Sequence, residues 1–248
     1  YDMKKLILLL FIPLVFACDE NKTKVTFIKI GNQIWSDENL SVDMFRNGDK
    51  IKQSKNIEDW FKYNRSKTAT WCYYKFDENY SHLGKLYNYY SISDSRNLAP
   101  KGWEVASFED YLELISFIDK NVDDWGSSYA GQSLKKSKIS NWSESYDCKL
   151  VDTKFNAIPA GSLVFGGEWL GGVETARYWA KTDWEKVLKT VDWPESQKLK
   201  FLNDKGKRKS FVVRLENSSC SIDFDDDPNE YGYHIRLVKS KGVNYRFW

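Results

Sequence analysis

LGKLYNYYSISDSRNLAPKGWEV, residues 83–105, is the stretch on which the reading of this chain turns. Tyr87, Tyr89, Tyr90 and Trp103 lie between a glycine-led strand signal and an Ala-Pro-Lys-Gly turn, with Asp94 and Glu104 as the only carboxylates. Such a run of rings is either an exposed binding face or the inside of a fold. The flanking sequence has to choose.

Just downstream, Ser107 can cap a helix and Asp110, three residues on, completes a Ser-x-x-Asp capping pattern. Tyr111, Leu114, Ile115 and Ile118 then recur at i, i+3, i+4 and i+7. That spacing predicts an amphipathic helix over 107–121 with one face on a core. Upstream, residues 25–30 (VTFIKI), Gly31-Asn32 and 33–35 (QIW) predict a hairpin closed by a Gly-Asn turn. A short helix is expected around 57–63. Beyond residue 121 glycines and prolines cut the chain into short apolar pieces. Alternating residues 210–215 and 233–238 predict strands flanking an acidic loop. The sum is α+β, with six to nine short antiparallel strands, one to three helices, long loops and no fixed-period repeat.

The first residues stand outside that fold. Lys4 and Lys5 precede an apolar run, 6–16, that is too short to span a bilayer and ends in Leu14-Val-Phe-Ala-Cys18. Residues 1–17 are therefore expected to be a signal peptide, with Met3 as its initiator and Tyr1-Asp2 as an upstream extension. A small residue before a cysteine resembles a bacterial lipobox, which makes Cys18 the predicted lipidation site. Residues 18–24 become a polar, lipidated tether, and 25–248 a single domain. The expected location is the cell envelope, lipid-anchored, outer membrane rather than inner.

Eleven tryptophans and a 16% aromatic content suit a binding protein, whereas the net charge of +2 falls towards neutral once Asp2, Lys4 and Lys5 leave with residues 1–17. A near-neutral chain without a concentrated basic face excludes nucleic acid as a partner. The basic run 205–209 (KGKRK) is expected to be a solvated turn. With Cys18 set aside, Cys72, Cys148 and Cys220 allow three pairings, and no Cys-x-x-Cys spacing suggests a zinc or redox site.

Blocks of residues then carry a family resemblance. These are 30–35 (IGNQIW), 45–49 (FRNGD), 71–74 (WCYY), 84–90 (GKLYNYY), 98–103 (LAPKGW), 155–161 (FNAIPAG) and Tyr178-Trp179. In spelling and order they resemble the Fibrobacter succinogenes major paralogous domain, over about residues 25–239. The resemblance implies a C-type-lectin-like fold related to formylglycine-generating enzymes. It also implies that Tyr73, Tyr87, Tyr89, Trp103 and Trp179 are framework, so the opening stretch is expected to be scaffold. The family's frequent final-strand cysteine is missing from 232–236 (GYHIR). The resemblance thereby leaves Cys148 with Cys220 as the pairing to test and Cys72 as a buried thiol.

No constellation predicts catalysis. His82 and His234 are the only histidines, each is expected to be packed or solvent-facing, and no cysteine pair matches the related enzymes. The acidic stretch contributes Asp223, Asp225, Asp226, Asp227, Asn229 and Glu230 as an oxygen-ligand set that calcium could draw together. Trp125, Tyr129, Trp142, Trp169 and Trp184 fall outside the framework blocks, in Gly-, Ser- or charge-rich sequence. They are the expected ligand-binding face, since tryptophan and tyrosine stack on sugars and hydrogen-bond at their edges. Two readings follow: a module that binds polysaccharide or another surface ligand, and an adhesion component that engages surface proteins without a small-ligand site.

Overall fold

A computed structural model describes residues 25–123, 126–136, 142, 148, 151–172, 174–190, 194–196 and 209–240. Along the chain the elements are β1 (Phe27–Ile30), β2 (Gln33–Ser36), β3 (Lys52–Gln53), α1 (Ile57–Arg65), β4 (Thr70–Cys72), β5 (Leu86–Tyr87), α2 (Tyr89–Ile92), β6 (Trp103–Val105) and α3 (Phe108–Ile118). There follow β7 (Gly126–Ser127), α4 (Gly131–Leu134), β8 (Ser162–Leu163), β9 (Trp169–Leu170), β10 (Thr175–Trp179), α5 (Trp184–Thr190), β11 (Lys209–Glu216), β12 (Ile222–Pro228) and β13 (Leu237–Lys239). The architecture is mixed α+β, with several small sheets and few helices.

The hairpin forms where expected, with Ile30 opposite Gln33 around a turn that puts Gly31 at φ 57°. The capping box also forms: Ser107 Oγ accepts from the Asp110 N–H at 3.1 Å, and Asp110 Oδ2 accepts from the Ser107 N–H at 2.9 Å. The helix stops at Ile118, three residues short of expectation, and buries Phe108, Tyr111, Leu114 and Ile115. Burial of each such side chain contributes about 1.5–3 kcal/mol, so this face fixes α3 on the sheet. Phe108 stacks on Phe211 of β11 at 4.3 Å between centroids.

Four sheets, ordered β1-β2-β13-β6, β10-β11-β12-β7, β3-β4-β5 and β8-β9, share the core. Among these strand pairs only β3–β4 is parallel. One segment joins all four sheets. Gly232 exchanges backbone hydrogen bonds with Leu163 of β8, Tyr233 with Tyr87 of β5, and His234 with Arg177 and Trp179 of β10. Val238 then pairs with both Trp35 of β2 and Glu104 of β6. The strand predicted over 233–238 is therefore regular only at its end, because residues 232–234 take a different partner at each step.

Arg236 holds the centre of this seam and is fully buried. Its guanidinium donates to Asn39 Oδ1 at 3.1 Å and to the carbonyls of Ser36, Phe155 and Asn156 at 3.0, 2.9 and 3.0 Å. The Phe155 ring lies 4.6 Å from its Cζ. A buried cation is tolerated because four of its N–H groups donate to oxygens and an aromatic ring lies beside it.

The opening stretch is scaffold, as expected: Leu86, Tyr87, Tyr89, Trp103 and Val105 are all buried. Cys148 and Cys220 form the disulfide, with Cα atoms 5.6 Å apart, and Cys72 is a free, buried cysteine. Burial pushes its thiol well above the ordinary range, so it is held unreactive. The acidic stretch differs from expectation. It is strand β12 rather than a loop, paired with β11 from Leu215↔Ile222 to Lys209↔Pro228. Carboxylates are poor strand formers; here cross-strand partners on β11 compensate. Of the basic run, residues 205–208 lie outside the described residues and Lys209 opens β11.

Candidate functional site

α1 begins at Asn56, whose side-chain oxygen accepts from the Asp59 N–H at 2.9 Å, and carries acids in its first turn and Lys62 and Arg65 in its last. This distribution matches the helix dipole at both ends. Trp60 and Asn64, four residues apart, face inward, and Phe61 and Arg65 make the adjacent exposed stripe. Trp60 Nε1 and Asn64 Nδ2 both donate to the Glu230 carbonyl, at 2.9 and 3.0 Å. Asn64 Oδ1 in turn accepts from Asn88 Nδ2 at 2.8 Å. This network ties α1 to the chain just after β12.

The β8–β9 connection packs on the same helix. Its 3₁₀ turn, Phe165–Gly167, has Gly166 at φ 71° and Gly167 at φ 87°. A Cβ on Gly167 would sit 2.6 Å from an Ile57 methyl, so the turn approaches α1 more closely than a side chain allows. The turn therefore projects Phe165 outward, 80% exposed, opposite Phe61 at 37%. Trp60, Val164, Pro228 and Tyr231 complete an apolar cleft of about 370 Å³, with Arg65 and Glu230 at its polar margin. That volume falls in the range of roughly 300–1,000 Å³ typical of ligand sites.

Of the five aromatics expected to form the ligand face, the four that are described sit in separate surroundings. Tyr129 is exposed. Trp142 is partly buried and donates from Nε1 to the Ala157 carbonyl at 2.8 Å, beneath the Lys135 ammonium. Trp184 packs on Phe211 at 4.7 Å. Trp169 is wedged edge-on against Tyr74 and Phe76, at 5.2 and 5.1 Å. Trp125 lies outside the described residues. The rings that do converge, Trp60, Phe61, Phe165 and Tyr231, were missed. Phe165 before a Gly-Gly pair was the legible signal, since a ring on so tight a turn has little chain of its own to pack against.

Nor do the expected calcium ligands converge. Strand alternation puts Asp223, Asp225 and Asp227 on the face opposite Phe224, and Asp226 on the Phe224 side. Arg214 of β11 reaches Asp225 at 2.9 Å and Asp223 at 3.5 Å, while Tyr233 donates to Asp227 Oδ2 at 2.7 Å. Burial raises the Asp225 carboxyl, with Arg214 opposing. Asn229 Oδ1 accepts from Ser210 Oγ at 2.8 Å, and Glu230 Oε1 from Tyr90 at 3.2 Å. Among the described residues no group of three or more His, Cys, Asp or Glu side chains is placed to hold a metal ion.

Of the histidines, His82 is exposed. His234 is buried between the carbonyls of Lys85 and Ala160, at 3.1 and 3.2 Å, and burial pushes it down to about 4. Among the described residues no helix is long and apolar enough to cross a membrane.

No curated protein and no solved structure matches the chain. Residues 28–239 match the family model of the Fibrobacter succinogenes major domain, which takes in the sheets, the seam and the cleft alike. The chain belongs to that family.

Proposed function

We propose that this protein is an envelope-anchored binding module, with a C-type-lectin-like fold, that takes a glycan into the cleft between α1 and the Phe165 turn. The observation that carries the reading is Phe165 itself, 80% exposed across from Phe61 over an apolar floor. Two exposed rings on one cleft, with a carboxylate and a guanidinium among its lining, suit a sugar, which has an apolar face for the rings and hydroxyls for the polar groups. Small antiparallel sheets, long connections and a disulfide across the loops are in keeping with the fold. Cys18 is the lipid-bearing residue in this reading. Its test is fractionation, in which Cys18→Ser moves the protein from membrane to soluble fractions.

The binding test retains the full chain, in mild detergent, on immobilised soluble and insoluble polysaccharides, with calcium and with chelator. Retention that is lost in Phe165→Ala supports the reading. Because Arg214 and Tyr233 already engage the β12 carboxylates, retention is expected to survive the chelator. Failure to bind any polysaccharide removes the glycan reading. The adhesion reading rests on a different observation, exposed Phe27 on edge strand β1 and exposed Phe117 on α3, which contacts Gly31. It gains if native chain and Phe165→Ala both bind surface proteins equally.

A further inference from the structure

A second cavity, about 280 Å³, has the opposite chemistry. Ser93, Ser95 and Asn97 contribute hydroxyls and an amide, and Asp94, Glu104 and Lys181 contribute charge. Asp94 is already committed, since Arg96 grips it at 2.9 and 2.7 Å and so holds its carboxyl below the usual range. That leaves one carboxylate and one ammonium, Glu104 and Lys181, so the lining carries little net charge. The cleft is balanced in the same way by Arg65 and Glu230.

Both cavities border α2, a single turn roughly 6 Å long at 1.5 Å per residue. Tyr90 of α2 reaches the cleft wall at Glu230, and Ile92 at the other end lines the polar cavity. The buried Tyr89 bonds to a neighbour of each lining. Its N–H donates to the Asn229 carbonyl at 3.0 Å, and its phenol oxygen accepts from the N–H of Thr182, next to Lys181, at 3.0 Å. Asn229 lies between the cleft residues Pro228 and Glu230, so one tyrosine links the segments that carry the two linings.

We propose that cleft and polar cavity are two subsites of one extended site for a neutral polysaccharide chain, which continues from the ring-lined cleft across α2 into the hydroxyl- and amide-lined cavity. The inference rests on the glycan reading of the cleft. An uncharged polymer fits because neither subsite offers a surplus of either charge, and because a sugar chain presents hydroxyls at every unit to match the donors and acceptors of the second cavity. Linked subsites add affinity through effective concentration, so the signature of the arrangement is dependence on chain length.

The experiment is calorimetric titration of the full chain with neutral gluco-, xylo-, manno- and chito-oligosaccharides, from disaccharide to hexasaccharide. For the series that binds, affinity is expected to rise about tenfold or more with length. Ser95→Trp, at an exposed position, should fill the second cavity and return the hexasaccharide to the disaccharide's affinity, without changing the disaccharide or the melting temperature. Lys181→Ala should lower hexasaccharide affinity alone, as an independent check. If native protein and Ser95→Trp bind every length alike, and binding still depends on Phe165, the second subsite is overturned and the cleft stands. If no oligosaccharide binds, both fall together.

Discussion

The seam and the cleft use the same residue types to opposite ends. At the seam, Tyr87, Trp179 and Tyr233 are fully buried, with the Trp179 and Tyr233 rings 4.8 Å apart and Trp179 Nε1 donating to the Tyr87 carbonyl at 2.8 Å. At the cleft, Phe61 and Phe165 turn outward, while Trp60 is anchored by its Nε1 hydrogen bond. The first arrangement satisfies every ring and stores stability; the second leaves apolar surface in water, which a protein retains where a ligand will cover it. A substitution should therefore cost folding at the seam and binding at the cleft.

The sharpest way to break that division is Arg236→Met. It removes the four hydrogen bonds described above and strands buried carbonyls, so a loss of roughly 4 kcal/mol is expected in denaturant unfolding. A loss under about 1 kcal/mol would mean that the seam does not depend on its central cation. Reducing the Cys148–Cys220 bond, which links positions 72 residues apart, should cost about 2–4 kcal/mol. It should leave sugar binding in the refolded protein unchanged, because neither cysteine lines the cleft.

Acid probes the seam through His234. Its folded value, about 4, lies below the ordinary 6.5, so the unfolded chain binds more protons between those limits. Stability should therefore fall as pH drops from about 6.5 towards 4, by up to roughly 3 kcal/mol. His234→Gln should flatten that part of a melting-temperature profile; an unchanged slope would place the acid sensitivity elsewhere. The smallest folding effect belongs to Phe165→Ala, within about 0.5 kcal/mol of native because so little of the ring is covered. A large loss there would make Phe165 a packing residue and dissolve the contrast.

Much of the framework was legible in sequence and almost none of the cleft. The Ser107–Asp110 box and the Gly31-Asn32 turn are local codes, in which capping and backbone conformation are set by neighbours within a few residues. The framework reading of residues 83–105 came from family spelling, and burial of Tyr87 and Trp103 agrees with it. α2 has four residues, too short for a helical period to register, although Asn88 caps it by accepting from the Ser91 N–H. β12 read as a loop because three consecutive aspartates disfavour strands in isolation, and Arg214 and Tyr233, which compensate, are set by pairing and not by proximity in sequence. The cleft is assembled from α1, the β8–β9 turn and the end of β12, segments about 100 and 65 residues apart. Long-range convergence of that kind leaves no periodic trace.

The seam also fixes an order of events in time. Residues 232–239 are hydrogen-bonded to all four sheets, and they are synthesised after every strand they join. Until they arrive, Leu163, Tyr87 and Arg177 have backbone groups with no strand to meet, and the β2 and β6 edges stand apart. The four sheets can thus be joined only after this segment has been made, through contacts of very long sequence separation that fold slowly. A chain interrupted before residue 232 would remain an open set of edges, recognisable to proteases and chaperones as unfinished.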